Sequence, residues 1–355
     1  MKSLRSLVLV ASLPLATGCA TLNSMGISTP KVEVPGAGII TEATQKAEAK
    51  CGPIKTAEVS WTEERAMGGV VNVKQVADHG SLVFDLYKEN DLEKLSAQVA
   101  AGKEKVVLPE SPKNAAEAYL NVMGRNLAKY SARPDLPWTF AVMQNDTPNA
   151  YSAPGGYVVV TTGLLKKMTN EAQLAGVLSH EIGHVVLKHS IKRYRDSKAT
   201  QCTIATTGSI VIKRAAQMAE AEARPILNLL PAETRDAAKF ADKFDNFDLD
   251  TAAPDFVKFV MDAVTKILEL TGNEKEDEFQ ADATALELTA FAGYDAKEYE
   301  GFLTVLGEGG GAFSNHPSTK DRVAKLKALR EGDLAPFAVG TSKNDLSKLA
   351  PLYTK

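Results

Sequence analysis

The sequence predicts a mainly helical α+β fold with a small β-sheet beside one partly buried helix, and three observations predict it. Apolar residues recur at helical spacing in most segments between residues 41 and 330. A single clear turn-and-strand signal, Pro154-Gly155-Gly156 followed by Tyr157 and β-branched residues, stands upstream of the central helix. That helix carries His180-Glu181-Ile182-Gly183-His184 within an apolar stripe. With 355 residues, 44% of them hydrophobic and 24% charged, the chain is large enough for one sizeable core plus appendages. A net charge of -3 leaves no basic footprint for nucleic acid, so that partner is excluded, and no internal repeat is visible.

The amino terminus sets the expected compartment. Lys2 and Arg5 precede an apolar run from Leu7 to Leu15, too short for a bilayer and matching a secretory signal peptide over residues 1–18. Leu15-Ala16-Thr17-Gly18-Cys19 looks like a bacterial lipobox, with Ala16 where Leu is usual; the likeness implies cleavage before Cys19 and lipidation of its thiol. Ala20 beside it fits retention at the outer membrane, facing the periplasm through an anchor in the inner leaflet. The competing expectation is an ordinary cleaved signal and a free secreted protein. Residues 19–40, rich in Gly, Pro, Ser and Thr, read as a lipidated tether, and residues 41–105 as an N-terminal helical region that braces the rest. No other apolar run reaches the roughly eighteen residues of a membrane span. With Cys19 lipidated, Cys51 and Cys202 remain, and an oxidising compartment permits their pairing.

The strand at Tyr157, Val158, Val159 and Val160 has two placements. At a sheet edge it would bind an extended peptide by main-chain hydrogen bonds; inside the sheet it would be core. Next, Asn170-Glu171-Ala172-Gln173 resembles a capping box that starts a helix about ten residues before the histidines. Ala172, Leu174, Ala175, Val177 and Leu178, then Val185, Val186 and Leu187, form its apolar stripe.

Side chains four apart lie one above the other on a helix, so His180 and His184 can share one ion, with Glu181 beside them. H-E-x-x-H is the zinc-binding turn of metalloproteases. Three protein ligands leave a position for a water whose pKa the metal pulls to about 7, and Glu181 is placed to take its proton. At 100° per residue His189 points roughly opposite His180, so it is excluded as a ligand and reads as a surface or packing residue. The third ligand is sought in the acidic segment 274–282. Glu274, Glu278 and Asp282 share one helical face, and spacing alone does not choose among them; a solvated acidic helix start is the alternative.

Together, H-E-I-G-H, E-F-Q-A-D (278–282) and S-N-H-P-S-T-K-D-R (314–322) resemble the peptidase family of the HtpX heat-shock protease and the CAAX prenyl proteases, gluzincins whose soluble periplasmic branch includes BepA. The resemblance runs from about Asn114 to Leu329, and the strand at 157–160 resembles the strand before the family's metal helix, which makes it the substrate edge strand in this reading. It implies one zinc ion per chain held by His180, His184 and Glu278, with Asp282 holding His180 through its other ring nitrogen. His316 and Arg322 match the family's His-Pro followed by Arg. The implied roles of His316 are oxyanion donor in a working site or a fourth ligand that closes a resting one; Ser318 and Asp321 then begin a helix through Leu329 from which Arg322 turns back to the site. The peptidase domain is thus expected over 106–330, with a tail at 331–355. The span from His184 to Glu278 is long for the family: residues 201–270 form a helical insertion, with segments near 204–230, 232–244 and 254–270 separated by Pro225, Pro231 and Pro254. It reads as a satellite core, with a lid or partner surface as the alternative.

The expected function is zinc-dependent endopeptidase, with Glu181-activated zinc-bound water as nucleophile, acting on misfolded or unassembled cell-envelope polypeptides. The rival expectation is an envelope chaperone or assembly factor whose zinc site is structural or self-inhibited.

Overall fold

The computed structural model describes residues 37–82, 112–244, 253–260, 262, 275–306, 319–336 and 346–352. Cys19, the tether up to residue 36, Glu274, His316 and Ser318 lie outside the described residues. Among those described, helices dominate and a single four-stranded sheet stands beside them. No described helix is long and apolar enough to cross a membrane.

The chain enters through α1 (Ala37–Cys51), a short 3-10 turn and α2 (Trp61–His79), whose first turn is capped by Ser60 accepting from the Glu63 N–H at 3.1 Å. The tether expected to reach residue 40 therefore ends inside α1. Strand β1 (Ser81–Leu82) follows, then α3 (Pro112–Ala128), β2 (Thr139–Gln144), β3 (Ala150–Ala153), β4 (Tyr157–Thr161) and the single turn α4 (Thr162–Leu165).

The sheet order is β1-β2-β4-β3, with β2 and β4 parallel and the other pairs antiparallel. Strand β4 is therefore internal, and the expectation that Tyr157, Val158, Val159 and Val160 form an edge strand is corrected: Val158 pairs with Phe140 on one side and Ser152 on the other. The edge beyond β4 belongs to β3. The physical reason is in the residues, because Val158 and Val160 enter the main core while Val159 joins Ala141 and Met143 beneath Val76 of α2. A strand buried on both faces is a continuous β-branched run without polar alternation. The turn before it follows the Pro-Gly-Gly signal, with Gly155 and Gly156 at φ 80° and 90°, a region that disfavours other residues.

Helix α2 locks onto that turn. Buried Glu64 takes both guanidinium nitrogens of Arg133 at 2.9 and 2.8 Å and the Gly155 N–H at 3.1 Å, while Arg65 donates to the Gly155 carbonyl at 2.6 Å and stacks 3.8 Å from the Tyr157 ring centroid.

Helix α5 (Glu171–Val186) runs through the main core, and every side chain from Ala172 to Val185 is buried. Lys188, at φ 58°, turns the chain into the long α6 (His189–Ala215). The break in the insertion falls at residues 216–219, ahead of α7 (Glu220–Leu229), and Pro225 lies inside that helix instead of separating segments. The helix α8 (Ala232–Ala237), a 3-10 stretch to Phe244 and helical residues 254–260 complete the described part of the insertion. They build a second core: Phe240, Phe244 and Phe256 pack with Tyr194 and Cys202 of α6, Cys51 of α1 and Met67 of α2. The satellite core of the sequence reading is thus shared with the N-terminal helices, and the two are joined by a Cys51–Cys202 disulfide with Cα atoms 5.8 Å apart.

Helix α9 (Lys275–Phe291) lies against α5, α10 (Lys297–Leu306) packs on α5 as well, and α11 (Thr319–Glu331) packs against both α9 and α10. Leu349, in a last 3-10 turn, is buried in the main core.

Candidate metal centre

The start of α5 is fixed by reciprocal hydrogen bonds: Asn170 Oδ1 accepts from the Gln173 N–H at 3.0 Å, and Gln173 Oε1 accepts from the Thr169 N–H at 2.9 Å. From there the helical repeat brings His180 and His184 onto one face, their Nε2 atoms 3.1 Å apart and aimed at a common point. Helix α9 supplies the carboxylate. It approaches α5 where Gly183 has no side chain, a Cβ there standing 3.1 Å from the Ala281 Cα. At that closeness Glu278 Oε1 stands 3.3 Å from His184 Nε2 and Oε2 stands 3.4 Å from His180 Nε2.

The candidate ligand atoms of His180, His184 and Glu278 all lie within 4.8 Å of one another, the one such group among the described residues. Two imidazoles and a carboxylate, all buried, fit a divalent ion of borderline softness. Glu181, one residue along the helix, is buried as well, at 3% exposure.

A layer of polar contacts holds these groups. Asp282, one turn beyond Glu278, places Oδ1 3.0 Å from His180 Nδ1. Arg322, on the first turn of α11, grips that carboxylate through Nε to Oδ2 at 2.8 Å and Nη2 to Oδ1 at 2.7 Å. The Tyr299 hydroxyl donates to Asp282 Oδ1 at 2.9 Å and accepts from Arg322 Nη2 at 3.2 Å. Burial by itself would raise the Asp282 pKa, and hydrogen bonds from Arg322 and His180 outweigh it and hold the carboxyl well below the usual range. Burial by itself would lower the His180 pKa, but Asp282 and Glu278 lift it to about 9; burial and the neighbouring His180 push His184 down to about 3.

The structure gathers His180, Glu181, His184, Glu278, Asp282 and Arg322 at one place. It sets Tyr157 to Val160 elsewhere in role, as internal sheet, although β3 lies alongside α5. One residue escaped the sequence reading, and another, His189, stands outside the ligand group as expected but has a partner the sequence did not mark. His189 is buried at 3% exposure, with Nδ1 2.9 Å from His184 Nδ1, because α5 ends and the chain turns at left-handed Lys188 instead of continuing at 100° per residue. Tyr299 carried no motif; only its position on an amphipathic helix near the acidic segment marked it.

A model of Peptidase family M48 matches residues 114–330, well over half of the chain. Over 86 residues, 24% of this chain and 26% of the relative, the sequence is 35% identical to the mitochondrial metalloendopeptidase OMA1 of Schizosaccharomyces pombe. Over 103 residues, 28% of this chain and 21% of the relative, it is 33% identical to the beta-barrel assembly-enhancing protease of Escherichia coli strain K12. Over 59 residues, 17% of this chain and 11% of the relative, it is 39% identical to the mitochondrial metalloendopeptidase OMA1 of Bos taurus. The chain thus spans little more than a quarter, at most, of the length of these curated relatives. With a matched domain that contains every residue of the buried cluster, the chain belongs to Peptidase family M48.

Proposed function

We propose that this chain is a zinc-dependent endopeptidase of the bacterial cell envelope, held at the outer membrane by lipid on Cys19 and hydrolysing misfolded or unassembled envelope polypeptides. The observation that carries the activity is the buried convergence of His180, His184 and Glu278 with Glu181 on the same helical turn. Compartment and substrate class are supported by the signal-like residues 1–18 with their lipobox, and by the likeness to an assembly-enhancing protease.

His180, His184 and Glu278 would hold the zinc ion, which when bound would supply Lewis acidity toward water and the scissile carbonyl. The residues of the chain do the rest. Glu181 takes a proton from the attacking water and hands it to the leaving amine, so the peptide bond breaks with one water consumed. His316 donates to the oxyanion in this reading. Asp282, locked by Arg322 and Tyr299, keeps the His180 ring in place. An extended peptide adds to the sheet at β3, beside α5, and gains affinity from main-chain hydrogen bonds that select little among sequences.

The test is hydrolysis of an unfolded protein such as casein, with zinc content measured on the same samples. Glu181→Gln should lower the rate at least about a hundredfold while zinc stays bound. Zinc without cleavage in the wild type would favour the chaperone reading, and cleavage retained in the variant would remove Glu181 from its role.

A further inference from the structure

We infer that His189 is a positioning residue for the metal centre, an imidazole that fixes the tautomer of His184 from outside the ligand set. The inference rests on the metal-site reading above and adds a residue to it. The His184 and His189 Nδ1 atoms are 2.9 Å apart, close enough for a hydrogen bond. Two ring nitrogens at that distance need one proton between them: two donors repel, and two lone pairs do the same.

The rest of each ring decides the direction. His184 turns Nε2 toward Glu278 and His180, at 3.3 and 3.1 Å, where a ligand to a metal must present a lone pair. A neutral imidazole has one N–H, so that of His184 sits on Nδ1 and donates to His189. His189 then accepts on Nδ1 and carries its own proton on Nε2. Among the described residues, that nitrogen faces two acceptors from α9, Gln280 Oε1 at 3.3 Å and Asp277 Oδ1 at 3.8 Å. Every proton has a destination, and reversing the chain would put a proton on the metal-facing Nε2.

The two histidine ligands are therefore held differently. His180 meets a carboxylate directly, Asp282 at 3.0 Å, whereas His184 meets a second imidazole whose far side faces Gln280 and Asp277. The arrangement depends on the turn at left-handed Lys188, which starts α6 with the His189 ring against that of His184 in the helix before it. Helix α9 closes both arms: Glu278 and Asp282 face the ligands while Asp277 and Gln280 face His189.

The first measurement needs no variant. Long-range 1H–15N spectra of the metal-free wild-type chain, with histidine nitrogens labelled and assigned, should show neutral His184 as the Nδ1–H tautomer and His189 as Nε2–H. The second uses chelator competition for zinc. His189→Leu should weaken zinc about tenfold to a hundredfold. His189→Asn, whose Oδ1 takes the place of the accepting Nδ1, should recover most of that loss. A His184 that carries its proton on Nε2 in the wild type would overturn the inference, as would His189→Leu binding zinc as tightly as the wild type. A wild-type chain that takes up no zinc yet shows His184 as Nδ1–H would count against the metal-site reading and leave the tautomer assignment standing, so the two fail separately.

Discussion

Asp282 is the residue on which the centre's polar contacts converge, since it touches His180, Arg322 and Tyr299 at 3.0 Å or less. Removing it separates two effects that a single activity assay would merge. Asp282→Ala leaves the Arg322 guanidinium, 2% exposed, without its main partner, and a buried charge stripped of its partner costs about 3–5 kcal/mol. The same change frees the His180 ring and should weaken zinc about tenfold to a hundredfold. The double variant Asp282→Ala with Arg322→Met should regain most of the stability in urea unfolding and none of the zinc affinity; zinc affinity that recovers with stability would reduce Asp282 to a packing role. This residue was legible in the sequence only through the family motif, because Glu274, Glu278 and Asp282 share one face and helical spacing treats them alike. His180, Glu181 and His184 were legible on physical grounds, as a four-residue spacing inside an apolar stripe admits few other arrangements. His189 was legible as a residue outside the ligand set but not as a partner of His184, because extrapolating a helix angle assumes that the helix continues, and one left-handed residue, Lys188, ends it.

Two glycines of α5 set how closely its neighbouring helices approach the metal centre. Gly183 lets α9 approach α5, and Gly176 lets α10 do the same: a Cβ there would stand 2.4 Å from the Tyr299 Cβ and 2.5 Å from its Cγ. Those atoms are the root of the side chain and have little freedom to retreat. Gly176→Ala should therefore push α10 outward, at a cost of about 1–3 kcal/mol of overpacking, although alanine is the better helix former. The displacement reaches the centre through the Tyr299 hydroxyl on Asp282, so zinc should loosen along with stability. Greater stability in Gly176→Ala, as propensity alone would give, would sink this account of the packing. Helix α5 itself was legible at its start through Asn170 and Gln173. The sheet order was not, because which strands flank β4 depends on contacts between residues far apart in sequence, such as Val158 with Phe140 and Ser152. The uninterrupted Val158-Val159-Val160 run did hold the clue to burial on both faces.

At the scale of the whole molecule, the described residues build two main cores with different duties. One is built around α5 and includes Leu174, Leu178, Ile182, Leu286 and Phe302, and the metal centre sits within it. The other joins the insertion to the N-terminal helices and is closed by the Cys51–Cys202 disulfide across 151 residues of sequence. The family match begins at residue 114, so Cys51, α1, α2 and β1 are additions to the matched domain that nevertheless complete its sheet and brace its β3–β4 turn. A cross-link that closes so long a loop removes much of the unfolded chain's freedom, and losing it should cost about 2–5 kcal/mol. The loss should fall unevenly. Cys51→Ser with Cys202→Ser, or reduction of the wild type, should lower the urea midpoint and loosen the second core, seen as faster amide exchange in α1 and α6. The metal centre rests on α5 and α9 in the other core, so chelator competition should give a zinc affinity within a few-fold of the oxidised protein. Zinc lost in step with the disulfide would mean that the cores unfold as one and that the N-terminal helices hold the centre as well as the sheet.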